Sequence, residues 1–222
     1  MRYLDLLTAL FATVLLVSNV ASTKLVVLGP FTFDGGTLLF PLAYIFGDVL
    51  TEVYGYRKSR RVIWIGFFAL LLATLTFQAV AHLPAPPDAE SQRFGEAFGL
   101  LLGLTPRIVL GSLLAYFLGE FANAYVLAKL KVRTEGRFFW LRALASTLVV
   151  QGLDTGVFLL VAFYGVFPKE VLLAVFLSNY AFKLGVEALM LPFTYAVVGF
   201  LKRAEGMDAY DRDTDFNPFR LT

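Results

Sequence analysis

Apolar residues in this chain come as long runs rather than as the one-faced periods of soluble helices. Six stretches, residues 3–22, 36–54, 62–83, 107–130, 140–166 and 171–201, are each long enough to cross a bilayer as a helix, for which about 20 apolar residues suffice. Between the first two, KLVVLGPFTFDGG alternates β-branched and aromatic residues and carries Gly29, Pro30, Gly35 and Gly36, predicting a short hairpin or irregular loop that caps the bundle. Pro41 falls near the start of the second span, where a missing backbone donor does least harm. Pro84, Pro86 and Pro87 end the third span, and residues 88–98 read as a short amphipathic helix in the interface. The fourth span starts after Thr105 and Pro106. The stretch 171–201 exceeds an ordinary span and reads as one long tilted helix, with Gly185 or Pro192 as the place for a kink, in preference to a half-span and a full one. The prediction is an all-α membrane protein. It is a single domain, residues 1–203, built as a six-helix transmembrane bundle, followed by a polar, acidic and mobile tail, residues 204–222.

Composition strengthens this reading. Hydrophobic residues make up 58% of the 222 and charged ones only 16%, against roughly 25% charged in soluble domains. The basic residues sort by side. Arg2, Arg57, Lys58, Arg60, Arg61, Lys129, Lys131, Arg133, Arg137, Arg142, Lys202 and Arg203 fall on one side of a six-span topology, and Lys24, Arg93, Arg107 and Lys169 on the other. Twelve against four predicts cytoplasmic termini by the positive-inside rule. With a net charge of only +2, the chain is no nucleic-acid binder. SNVAS at 18–22 superficially offers a signal-peptide cleavage site, but Asp5 weakens the basic region before it and the segment reads better as a span. Without cysteine there are no thiolate chemistries, and His82, at the end of an apolar run, reads as interfacial rather than metal-ligating. No metal or other cofactor is implied.

The informative residues are the polar ones inside the spans. Placing an ionised group in hydrocarbon costs at least about 2.5 kcal/mol, so such groups face a bundle interior and by default mark a pathway or site. Asp48, Glu120, Asp154, Lys183 and Glu187 are the ionisable ones. Glu187 is the weakest of them, since it can pair with Lys183 or reach the interface. Glu52, four residues after Asp48, marks the cytoplasmic end of its helix. Asn19, Asp48, Tyr116, Glu120, Asn123, Gln151, Asp154, Asn179 and Lys183 make the candidate substrate site: acids, amides, one cation and a tyrosine. Lys183 needs Asp154 or Glu120 beside it to stay charged in low dielectric. Gly111, Ala115 and Gly119, like Gly152 and Gly156, form small-residue stripes that suit internal packing or a homodimer contact equally well. No nucleophile–histidine pair, HExxH or Gly-rich phosphate loop is present, which argues against an enzyme. No repeated filter motif points to a channel.

GDVLTEVYGYRKSRRVIW, with SNVASTK before it and STLVVQGLDT and NYAFKLG after it, resembles the vitamin-uptake-like family of queuosine precursor transporters over roughly residues 18–203. The resemblance implies a six-helix bundle similar to the substrate-binding subunits of energy-coupling-factor transporters. It also implies import of 7-deazaguanine bases across the bacterial inner membrane, for use in tRNA modification. The alternative is a vitamin- or purine-binding subunit that depends on an ATP-driven coupling module. Subunits that dock on such a module carry alanine every four residues in the first helix, whereas here Ala9 is followed by Thr13 and Val17. No obligate coupling subunit is therefore expected.

Overall fold

The structure is a computed structural model that describes residues 1–28, 31–103 and 106–220. Gly29, Pro30 and Thr105, named above as loop residues, lie outside the described residues. Among the described residues, five helices are long and apolar enough to cross a membrane: α1 (Leu4–Ala21), α3 (Tyr56–Ala81), α5 (Pro106–Arg133), α6 (Phe139–Phe163) and α7 (Lys169–Glu205). The last is a single helix of 37 residues that runs through Pro192. Apolar side chains such as Leu72, Leu75 and Leu189 point outward, as a lipid-facing surface requires.

The loop after α1 is a two-stranded antiparallel hairpin, β1 (Leu25–Leu28) on β2 (Phe31–Asp34), in the register that pairs Leu25 with Asp34. The stretch expected as one helix over 36–54 is a composite. A 3₁₀ turn (Gly35–Leu39) leads into α2 (Phe40–Val49), with proline in its first turn, and a π-helical turn (Leu50–Tyr54) follows. Such π turns are uncommon and concentrate at functional sites. Gly55 breaks the helix at φ 80°, a region that disfavours a side chain. A β-carbon there would also lie 3.0 Å from Ala209 and 3.2 Å from the Asp211 carboxylate.

Helix α4 (Ala89–Leu102) extends four residues beyond the expected 88–98. The Asp88 carboxylate accepts from Ser91 N at 2.8 Å and caps its start. It stays on the outside of the bundle with Phe94 and Leu100 exposed, touching α3 through Phe77 and Phe98.

The small-residue stripes serve internal packing. A β-carbon on Gly111 would meet Ala162 at 3.4 Å and one on Gly119 would meet Asp154 at 3.3 Å, so α5 lies directly on α6. Gly152 and Gly156 receive Tyr180 and Phe176 of α7, and Tyr180 donates to Leu148 O at 2.9 Å. These stripes are used up within the chain, so the contact between two copies suggested as their other use has no support from them.

All the basic loops meet at one end of the bundle. Glu205, closing α7, accepts from Arg2 N (2.9 Å), Tyr3 N (2.7 Å) and Tyr54 OH (2.9 Å), which places the start of α1, the end of the π turn and the end of α7 together. Residues 35–54 begin at the other end, where Gly35 N donates to Lys24 O at 2.8 Å just past α1. The best-buried residues, among them Val49, Val53, Tyr56, Leu127 and Ala143, also gather toward the basic end.

The tail, expected to be mobile, makes docking contacts with the bundle. Gly206 (φ 61°) turns the chain off α7, and the segment lies across the basic end as a strap. Ala209 N donates to Val53 O, and Arg60 donates to Asp215 O (2.9 Å) and Asn217 O (2.6 Å). Trp64 Nε1 donates to Pro218 O at 2.8 Å, and the Lys129 ammonium stands 4.1 Å from the centre of the Phe216 ring. Polar composition had suggested a solvated segment, but its carbonyls are claimed by Arg60, Tyr56 and Trp64. Asp211, 8% exposed, accepts from Tyr56 N at 2.9 Å and so caps α3 from the tail. Replacing it by alanine removes that cap and should cost about 1–2 kcal/mol. The checking measurement is thermal unfolding in detergent of Asp211→Ala, and an unchanged midpoint would remove the strap's structural role.

Candidate functional site

Two polar clusters lie one helical turn apart along the composite helix. The first, at the basic end, is a closed ionic network that sequence reasoning missed. Glu52, 1% exposed, takes a forked contact from Arg142, Nη1 to Oε2 at 2.5 Å and Nη2 to Oε1 at 3.2 Å. Lys202 Nζ donates to Glu52 Oε1 at 2.8 Å, and Lys131 Nζ stands 3.5 Å from the same oxygen and donates to Glu52 O at 2.5 Å. Arg142 is completed by Arg137 O and Gly136 O, both at 3.1 Å. From the tail, Asp208 accepts from Lys131 and pairs with Lys202 at 2.9 Å. Burial works against the Asp208 carboxylate, but the hydrogen bonds from Lys131 and Lys202 prevail and hold it below the ordinary carboxylate range. Glu52 thus lies at the basic end of the bundle, where its helix ends, and is buried in a network there. Its spacing from Asp48 is the available signal; its partners are basic residues at the ends of α5, α6 and α7, which the sequence presents only as topology markers.

The second cluster lies deeper, where α2, α5, α6 and α7 meet. Asp48 from α2, 2% exposed, accepts from Asn123 Nδ2 of α5 at 3.2 Å through Oδ1, while its Oδ2 accepts from no donor among the described residues. Glu120, one turn before Asn123 on α5, lines a small cavity with Asn123, Gly47, Phe11 and Ser59. That cavity measures about 10 Å³, about enough for one water molecule. On α6, Gln151 is buried with its Oε1 unpartnered among the described residues, and so is Thr155 Oγ1. Asp154 Oδ2 accepts from Lys183 Nζ of α7 at 2.9 Å. Of the two acids expected beside Lys183, the ion pair is therefore with Asp154. Glu187, 2% exposed, points inward with its carboxyl against that of Asp48, rather than out to the interface.

Six of the nine candidate residues fall in this cluster: Asp48, Glu120, Asn123, Gln151, Asp154 and Lys183. Tyr116 is its neighbour, one turn from Glu120, but it is 8% exposed and donates to Ile63 O at 3.0 Å, so it packs α5 on α3. Asn19 and Asn179 are not brought in. Asn19 donates to Leu15 O at 3.1 Å and lines a separate, mostly apolar cavity of about 110 Å³ with Leu16, Thr74, Phe77 and Leu102, between α1, α3 and α4. Asn179 is exposed on the first half of α7, which neighbouring helices leave largely uncovered. Helical spacing correctly placed it on the face of Lys183, but it does not report how far along that face the neighbours extend.

A helical bundle that spans lipid and keeps acids, amides and an ion pair in its interior, one end shut by a second ionic network, has the plan of a membrane transporter. The chain belongs to the family described as "Putative vitamin uptake transporter", whose profile matches residues 34–197. It is 36% identical over 188 residues to a "Probable queuosine precursor transporter" of Bacillus subtilis (strain 168), covering 84% of this chain and 80% of that one. It is 26% identical over 168 residues to a "Queuosine precursor transporter" of Escherichia coli (strain K12), covering 73% and 71% of the two chains. No solved structure matches the chain significantly.

Removing one partner of a buried ionic network strands the others, at a cost of about 3–5 kcal/mol. Glu52→Gln, which leaves Arg142 and Lys131 buried without their carboxylate, should lower stability by about that amount, whereas Glu52→Asp should recover part of it. Equal melting of wild type and Glu52→Gln would contradict the network's role. Because the Asp208 pKa is depressed on folding, its contribution is complete at neutral pH and is lost as the pH falls through that lowered value. Asp208→Asn should flatten this acid limb of a melting-against-pH curve.

Proposed function

We propose that the protein imports queuosine precursors, 7-deazaguanine bases, across the bacterial inner membrane. In this reading the composite helix 35–54 is the sixth crossing. Its ends lie beside the end of α1 and the end of α7, and the basic end with both termini faces the cytoplasm under the positive-inside rule. The relatives' names support the substrate class.

The observation that carries the reading is a surplus of buried acceptors in the deeper cluster. Asp48 Oδ2 and Gln151 Oε1 have no donor among the described residues, and Glu120 opens into the cavity. A guanine-like edge presents adjacent N–H donors, which a carboxylate accepts in pairs, and buried acceptors left unmade are costly. Glu120 and Asp48 then read the donors. Lys183, held in place by Asp154, serves the ring carbonyl, with Asn123 and Gln151 completing the wall. Asp154, one of the candidate substrate-site residues, is by its ion pair with Lys183 a positioning residue. With about 10 Å³ free at Glu120 and the basic end sealed, admitting a fused-ring base requires the helices to part. The described form is thus a closed state of a carrier that alternates its access. Uptake through it proceeds without an ATP-driven partner.

A ligand that binds only the folded state raises the melting temperature. Detergent-purified protein should be stabilised by 7-cyano- and 7-aminomethyl-7-deazaguanine, and not by riboflavin, which lacks the guanine-like edge. Asp154→Ala and Lys183→Ala should lose at least about tenfold in uptake at normal expression, since each leaves the other charge unpaired. No stabilisation by either deazaguanine, or full uptake by both variants, would overturn the reading.

A further inference from the structure

The transport reading leaves one contact of the deeper cluster unused. Asp48 and Glu187 are each 2% exposed, and their carboxyls face each other within side-chain hydrogen-bonding reach. An ionised carboxylate only accepts hydrogen bonds, so two of them facing each other repel; one proton between them turns the contact into an O–H···O bond.

Among the described residues, one donor to this pair is identified. Asn123 of α5 already donates to Asp48 Oδ1, and Oδ2 accepts from no donor among the described residues. The charges facing Asp48 are Glu52 on its own composite helix, Glu120 of α5 and Arg142 of α6, the last of which is forked onto Glu52. On α7, Lys183 is bonded to Asp154 of α6. The donor set does not suit a metal ion either, since among the described residues no three His, Cys, Asp or Glu side chains converge.

We propose that the Asp48–Glu187 pair carries one proton in the closed form and that this proton moves with the substrate, so that the protein is a proton-coupled importer. The proposal rests on the transport reading above. In each cycle one proton from the outer phase binds the pair, the only bond made being its O–H, and the same proton leaves to the inner phase. Protonated, the pair holds α2 against α7. Once the proton has left, two carboxylates push the helices apart, and the π turn between Asp48 and Glu52 provides the segment that yields.

The test uses the full chain reconstituted in liposomes, with a pH-sensitive dye inside, the membrane potential clamped and labelled 7-cyano-7-deazaguanine outside. With the exterior more acidic by about one unit, one-proton coupling to a neutral base predicts about tenfold accumulation, the ratio that 1.4 kcal/mol supports. Substrate addition should also acidify the lumen. Glu187→Gln keeps the contact, its amide donating to Asp48, and should equilibrate the base without accumulating it. Wild-type uptake that stops at the external concentration with no lumen acidification would overturn proton coupling while leaving the transport reading intact. Accumulation by Glu187→Gln equal to wild type would do the same.

If no deazaguanine enters at all, the substrate reading fails, and a substrate-free measurement still decides on the proton. A proton held in the folded state contributes stability at lower pH that is lost as the pH rises. The wild-type melting temperature should therefore fall from mildly acidic to mildly alkaline pH by more than that of Glu187→Gln. Equal falls would overturn the shared proton.

Discussion

Burying a carboxylate among three cations is what shuts this bundle. Glu52 could not stay ionised in a protein interior alone, and Arg142 and Lys131 could not stay buried without it. Because Glu52 and the three cations come from the π turn, α5, α6 and α7, one carboxylate joins the ends of four elements, with the tail's Asp208 over them. The contact is local in space but long-range in sequence: Glu52 to Arg142 spans 90 residues and Glu52 to Lys202 spans 150. It sets the register of the composite helix, and therefore the depth at which Asp48 sits one turn further in.

Charge balance separates the two clusters. At the basic end, Glu52 and Asp208 meet Arg142, Lys131 and Lys202, so each carboxylate has a cation and the network is at rest. In the deeper cluster Asp48, Glu120, Asp154 and Glu187 share Lys183 as the ammonium among them, with buried acceptors left over. The first arrangement stabilises a closed end; the second is under-compensated and needs something added from outside. That difference, more than the presence of polar residues, separates a lock from the proposed binding site within one helix bundle.

Much of the architecture was legible because lipid imposes length and apolarity on each spanning helix. Five of the expected spans match long helices, α7 is one helix across Pro192, and the loop after α1 is a hairpin. The composite character of 35–54 was not legible, since 3₁₀, α and π turns differ in hydrogen-bond register and share the same apolar composition. Nor was the docking of the tail, whose polar residues look solvated until Tyr56, Arg60 and Trp64 are seen to claim its carbonyls. At the site, helical periodicity identified inward faces on α2, α5, α6 and α7. It did not say which helices adjoin, so Asn19 was assigned to a cluster it does not reach. Nor did it show where cover ends along a helix, so Asn179 was included although it lies exposed. Glu187 was undervalued because its partner, Asp48, is distant in the chain.

The account stands on where the base binds. The direct measurement is an experimental structure of the protein with 7-cyano-7-deazaguanine bound. The account predicts the ring between α2, α5, α6 and α7, its donor edge on Glu120 and Asp48 and its carbonyl on Lys183. A base seated instead in the apolar cavity beside Asn19, between α1, α3 and α4, would contradict it.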